Sequence, residues 1–187
     1  MFKTMIQAGI LTTSMAIMST SVLAQNWVLT PKSTIDFDIK SAGMSIVKGT
    51  FQKYQSQMTF DPANLNKASV KFVLDVNSLS FSKPSLKSMI MGESFFHADQ
   101  YKTVTFQGSQ VKPLGNNKYS FVGNLTLRGV TKPVTFDTTL KANAANPKLL
   151  DVHSTTVINR SDFGMRKAVG GVGEKVYITL SGQWQAK

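Results

Sequence analysis

Cysteine is missing from all 187 residues of the chain. Its absence excludes disulfides, thiolate nucleophiles, cysteine-ligated zinc and iron–sulfur clusters, and it leaves the apolar core as the source of stability. Histidine is nearly absent: His97 and His153 lie 56 positions apart, and neither belongs to a ligand-spaced motif such as H-x-x-x-H. The 10 acidic residues are mostly single and sit on the polar side of alternating segments, the pattern of a solvated face rather than of paired catalytic carboxylates. Arginine is limited to Arg128, Arg160 and Arg166. The other cations are lysines spread singly, with no basic run of five or six. Since arginine is the side chain that forks onto phosphates and base edges, this balance argues against a nucleic-acid partner.

At the N-terminus the pattern is that of a targeting segment. Lys3 is followed by an uncharged, largely apolar stretch over residues 5–18, and Val22 and Ala24 occupy the minus-three and minus-one positions of a V-L-A cleavage site. The expectation is a signal peptide over residues 1–24 and one exported domain over 25–187. Lys3 leaves with the signal, so 21 basic residues become 20 against 10 acidic ones, a net charge of +10. Dispersed lysine of this kind protects sheet edges, aids solubility and favours peripheral contact with anionic membrane.

Downstream the chain reads as strand after strand. In STIDFDIK, Ile35, Phe37 and Ile39 alternate with Asp36, Asp38 and Lys40, the two-residue period of a half-buried strand. The same period groups Val70, Phe72, Leu74 and Val76; Val104 and Phe106; Tyr119, Phe121, Gly123, Leu125 and Leu127; Val134 and Phe136; and Val176, Ile178, Leu180 and Trp184. Turn signals separate these runs at Asp61-Pro62, Gly115-Asn116-Asn117, Asn146-Pro147 and residues 170–173. One irregular stretch, KPSLKSMIMGESFF, carries Leu86, Met89 and Ile90 at helical spacing, with Pro84 near a helix start and Gly92 near its end.

A sheet of about eight strands with one apolar face packs on a second sheet or closes on itself. Bulky inward rows and a single short helix favour an all-β, antiparallel, roughly eight-stranded barrel, wide enough to hold one apolar ligand. The pocket residues expected from strand parity are Phe37, Ile39, Phe51, Phe72, Leu74, Phe106, Phe121, Leu125 and Phe136. Met89, Ile90, Phe95 and Phe96 are expected to form a lid. Parity leaves open which face is the lumen. In LTLRGVTKPVTF, residues 125–136, the expectation is a hairpin turn over residues 128–133 at the barrel rim, with Gly129 in a turn conformation, Pro133 stopping further pairing, and Arg128 and Lys132 in water.

Two further stretches invite chemistry. VGGVG before Glu174 resembles a phosphate-cradling loop but leads into no helix, so a hairpin loop is expected. In VINRSDFGMR, residues 157–166, Arg160 and Asp162 flank a serine directly after an apolar strand, where the chain turns over the barrel mouth. A structural pair that pins the loop and a pair that meets a ligand headgroup are both open.

Four ordered segments, FDIKSAGMSIVKGTF (37–51), ESFFHADQYKTVTF (93–106), LTLRGVTKPVTF and VINRSDFGM, resemble the YceI-like family of polyisoprenoid-binding periplasmic proteins over residues 27–184. The resemblance implies a lipocalin-like barrel around a long apolar pocket for an isoprenoid or isoprenoid-quinone-like lipid, often in a homodimer, exported to the periplasm and used in transport or storage. It brings no catalytic residue, metal or cofactor. The chain departs from the family at Ser41, where a histidine is usual, at Lys87, where an aspartate is usual, and at Lys102, which replaces a proline. Two other readings stay open: a stress-related structural or interaction protein with a solid barrel core, and an enzyme in which Arg160, Asp162 and His153 converge at the barrel mouth.

Overall fold

The computed structural model describes residues 25–166 and 171–187. The expected signal peptide and cleavage site lie outside the described residues. Strands β1 (Gln25–Leu29), β2 (Thr34–Ser41), β3 (Met44–Phe51), β4 (Tyr54–Phe60), β5 (Ser69–Asp75) and β6 (Leu79–Phe81) precede the short helix α1 (Lys87–Met91). The long strands β7 (Thr103–Gly115), β8 (Lys118–Leu127), β9 (Val130–Ala142), β10 (Leu149–Asn159) and β11 (Lys175–Ala186) follow. Every pairing is antiparallel, and the order β1-β4-β5-β7-β8-β9-β10-β11 returns to β1, closing an eight-stranded ring. β2, β3 and β6 extend the ring beyond β11.

The eleven segments form eight staves because three staves are broken, β1/β2, β3/β4 and β5/β6. β1 and β2 pair with the same strand, β1 through Leu29 opposite Trp184 and β2 through Thr34 opposite Ser181. At the break, the Ser33 hydroxyl accepts from the Gln183 amide at 3.1 Å, and the Tyr54 hydroxyl donates to the Ser33 carbonyl at 2.9 Å. Gly182 faces this corner at φ +147°, and a β-carbon there would collide with the Ser33 side chain. Only glycine fits the position. Burial pushes the Tyr54 phenol above its ordinary value.

The β8–β9 turn is tighter than the sequence suggests. Leu127 pairs directly with Val130, so Arg128 (φ +53°) and Gly129 (φ +72°) form a two-residue turn with positive φ at both positions, the geometry that matches strand twist. Pro133 does not stop the pairing, because β9 continues along β8 with Pro133 opposite Asn124. Arg128 stays half-exposed but is also engaged: its Nη1 donates to the Gly164 carbonyl at 2.8 Å, and its guanidinium lies 6.0 Å from the Tyr101 ring centroid. Lys132 is exposed, as expected.

The irregular stretch folds as a 3-10 turn over Pro84–Leu86 running into α1. The helix ends at Gly92, whose amide donates to the Ser88 and Met89 carbonyls. This segment lies across the end of the barrel that carries the β8–β9 turn. The Arg166 amide, just beyond the 3-10 turn over Arg160–Phe163, donates to the Ser94 carbonyl at 2.9 Å and ties lid to rim.

Candidate functional site: an apolar lumen

Inward rows of all the long strands converge on one internal cavity of about 120 Å³. Phe37, Ile39, Phe51, Phe72, Leu74, Phe106, Phe121, Leu125 and Phe136 all line it, so the curvature of the barrel settles which face of each strand looks inward. Ile90, Phe95 and Phe96 close it at the lid end. Met89 does not reach the cavity. α1 is only five residues long and turns one side chain, Ile90, fully inward, while Met89 packs half-buried against the outside of the core.

The rings are interlocked. Phe96 lies 5.8 Å from Phe37 and 6.5 Å from Phe51, centroid to centroid, joining the lid to β2 and β3. Phe106 meets Phe136 at 4.8 Å in an edge-on contact, and Phe72 meets Trp184 at 5.6 Å. At the far end Phe60 packs on Tyr119 and Phe121. Such offset and edge contacts each add about 0.5–1.5 kcal/mol beyond area burial.

One wall carries polar side chains that strand parity did not single out. Thr138 of β9 and Ser154 of β10 both line the cavity, are buried, and share a hydrogen bond of 2.6 Å. In the sequence they sit among the polar residues of TFDTTL and HSTTV, and only the period carried through from Phe136 and Leu140, or from Val152 and Ile158, could have placed them inside.

Arg160 and Asp162 are not brought together at a ligand site. Arg160 is fully buried and donates to the backbone carbonyls of Val172 (3.0 Å), Gly173 (2.8 Å) and Arg166, with its guanidinium 5.0 Å from the Phe95 ring centroid. Its donors are spent on pinning the loop, and neither it nor Asp162 lines the lumen. Asp162 is exposed and accepts from the Asn159 amide at 3.3 Å. His153 faces outward from mid-β10, 3.1 Å from the Ser181 hydroxyl. The convergence that an enzyme would need is therefore missing from these three residues. Of the VGGVG stretch, Val169 and Gly170 lie outside the described residues; Val172 is buried, and Gly173 supplies one of the carbonyls held by Arg160. Lys87 and Lys102 are exposed, and Ser41 is half-buried at the end of β2.

A closed antiparallel barrel of eight staves, with an apolar lumen and one short helix across its end, is a lipocalin-like barrel. The chain belongs to the YceI-like family, whose domain model matches residues 27–184. A UPF0312 protein of Yersinia pestis (strain Pestoides F) is 31% identical over 150 residues, which span 79% of this chain and 78% of that protein. Among solved structures, Burkholderia cenocepacia BcnA aligns with a TM-score of 0.76 at 27% identity, over 85% of this chain and 99% of its own. A polyisoprenoid binding domain from Saccharophagus degradans, implicated in plant cell wall breakdown, shares the fold with a TM-score of 0.65 at 12% identity, over 88% of this chain and all of that one.

Proposed function

We propose that the protein is a non-catalytic carrier that holds a long isoprenoid, or an isoprenoid-quinone-like lipid, in its lumen and moves or stores it in the periplasm. The observation that carries this reading is the lumen itself: an internal space walled by aromatic and aliphatic side chains from the whole circumference of the barrel. With Thr138 and Ser154 bonded to each other, such a space offers little to a hydrophilic substrate and favours an apolar chain. If a long isoprenoid buries roughly 500 Å² of apolar surface, transfer at about 25 cal/mol per Å² supplies on the order of 12 kcal/mol, less the cost of ordering the chain. Export is supported by the N-terminal pattern around Lys3 and Ala24, and peripheral contact with anionic membrane by the scattered lysines. A homodimer fits the family resemblance.

The free space of about 120 Å³ is close to that of an engineered cavity that admits a benzene ring. A long chain therefore enters by turning inward rings such as Phe37, Phe51 and Phe96 aside. That same figure favours a second reading, a barrel whose core is simply filled. Trp184 separates the two, because it lines the lumen. Adding an isoprenoid quinone to delipidated protein is expected to quench its fluorescence saturably at one equivalent; an unchanged spectrum would leave the filled-core reading.

A further inference from the structure

The ring of strands is not zipped along its whole length. β9 pairs with β10 from Ala142 opposite Leu150 to Asp137 opposite Thr155, and there the ladder stops. Beyond it, residues 130–136 of β9 keep only β8 as a neighbour, and residues 156–159 of β10 keep only β11. The two edges diverge toward the lid end and frame a groove lined by Lys132, Thr135, Thr156, Ile158, Asn159 and Asp162, among others. One hydrogen bond spans the opening, from the Thr156 hydroxyl to the Thr135 carbonyl at 2.7 Å.

The opening is written into the sequence. Pro133 has no amide hydrogen to give, and a proline inside a strand is tolerated where one side of that strand has no partner. It sits in the stretch of β9 that lacks β10. Ile158 lines both the lumen and the groove, so its side chain borders the two spaces at once.

Polarity follows the same wall. At the lid end the lumen ends in the apolar Ile90, Phe95, Phe96 and Met165, and at the other end in Phe121 and Trp184, of which only the Trp184 indole carries a hydrogen-bond donor. Inward polar residues run along β9 and β10 instead: Thr138 and Ser154 in the lumen, then Thr156 at the opening. Outside lie Lys132, Asn159 and Asp162, all exposed. Lys132 and Asp162 are of opposite sign, which suits an uncharged head with hydrogen-bonding oxygens more than an anionic one.

We propose that the β9–β10 seam is the headgroup subsite: the isoprenoid tail lies in the lumen, passes Ile158, and places an uncharged oxygen head, an alcohol or a quinone carbonyl, in the groove against Thr156, Thr135 and Asn159. This rests on the carrier reading. The Thr156 hydroxyl exchanges its bond to the Thr135 carbonyl for one to the ligand oxygen, so the seam needs no rearrangement of the barrel.

The test uses the unmodified protein and two probes. Uptake of geranylgeraniol is first measured by native mass spectrometry. The protein is then loaded with geranylgeraniol carrying an aryl-diazirine on its oxygen, photolysed, and mapped by peptide mass spectrometry. Adducts are expected on residues 132–135 and 156–163, at least tenfold above any other segment. Uptake with adducts concentrated on residues 90–96 or 119–121, or uptake with no adducts because the head stands in water, would overturn the seam and leave the carrier reading intact. Absence of geranylgeraniol uptake would overturn both.

Discussion

Thr138 Oγ1 and Ser154 Oγ lie 2.6 Å apart on facing strands, a hydrogen-bonded pair set into the wall of a lumen built mainly from rings and aliphatic chains. Removing one member leaves the other hydroxyl buried without a partner, whereas removing both leaves an apolar wall. Thr138→Val or Ser154→Ala alone is expected to cost about 1–2 kcal/mol in denaturant unfolding, and the double variant less than the sum of the two. Additive losses would mean that the pair is not coupled.

Tyr54 ties the broken β1/β2 stave together through the Ser33 carbonyl, and burial holds its phenol above the ordinary value near 10. A raised folded-state pKa means that the neutral phenol is favoured by folding. Its contribution is complete below the unfolded value and is lost as the pH rises through the folded one. Tyr54→Phe is expected to lower stability by about 1 kcal/mol at pH 8, and the gap to the parent protein should narrow by pH 11. A gap that stays constant across that range would show that Tyr54 does not titrate as described.

Arg160 separates a structural from a ligand role. Arg160→Met removes the donors that hold three loop carbonyls and is expected to cost roughly 3 kcal/mol or more, because buried carbonyls are then left unpaired. Unfolding midpoints would fall together with the loss of the loop. Weaker lipid uptake at unchanged stability would instead make Arg160 a headgroup ligand.

Much of this barrel was legible before its structure. The two-residue period placed Ile35, Phe37 and Ile39 on one face, as it did Phe121, Leu125 and Leu127, because a strand lining a packed lumen must be apolar at every second position. What failed was polar, short or irregular. Thr138 and Ser154 are inward residues of outward chemistry. Met89 followed a helical stripe that a five-residue helix is too short to bury. Pro133 looked like a turn residue, since a proline in a strand makes sense only once the neighbouring edge is known to be free. Arg160 was open between pinning the loop with Asp162 and meeting a headgroup; it pins the loop, but through backbone carbonyls, which carry no sequence signal.

Phe121 is buried near the far end of the lumen, where it faces Phe60. Phe121→Trp enlarges the ring into the space that a lipid tail would occupy. Lipid uptake is expected to fall at least tenfold, while overpacking costs about 1–3 kcal/mol and leaves the barrel folded. A variant that loads as much lipid as the parent would place the tail elsewhere.

The central claim is that the lumen carries a lipid, and native mass spectrometry of the protein purified from its own exported compartment tests it most directly. The account predicts a stoichiometric adduct that releases a polyprenyl-bearing lipid on denaturation. A barrel that is empty as isolated, and that also fails to take up added isoprenoid quinone, would contradict it.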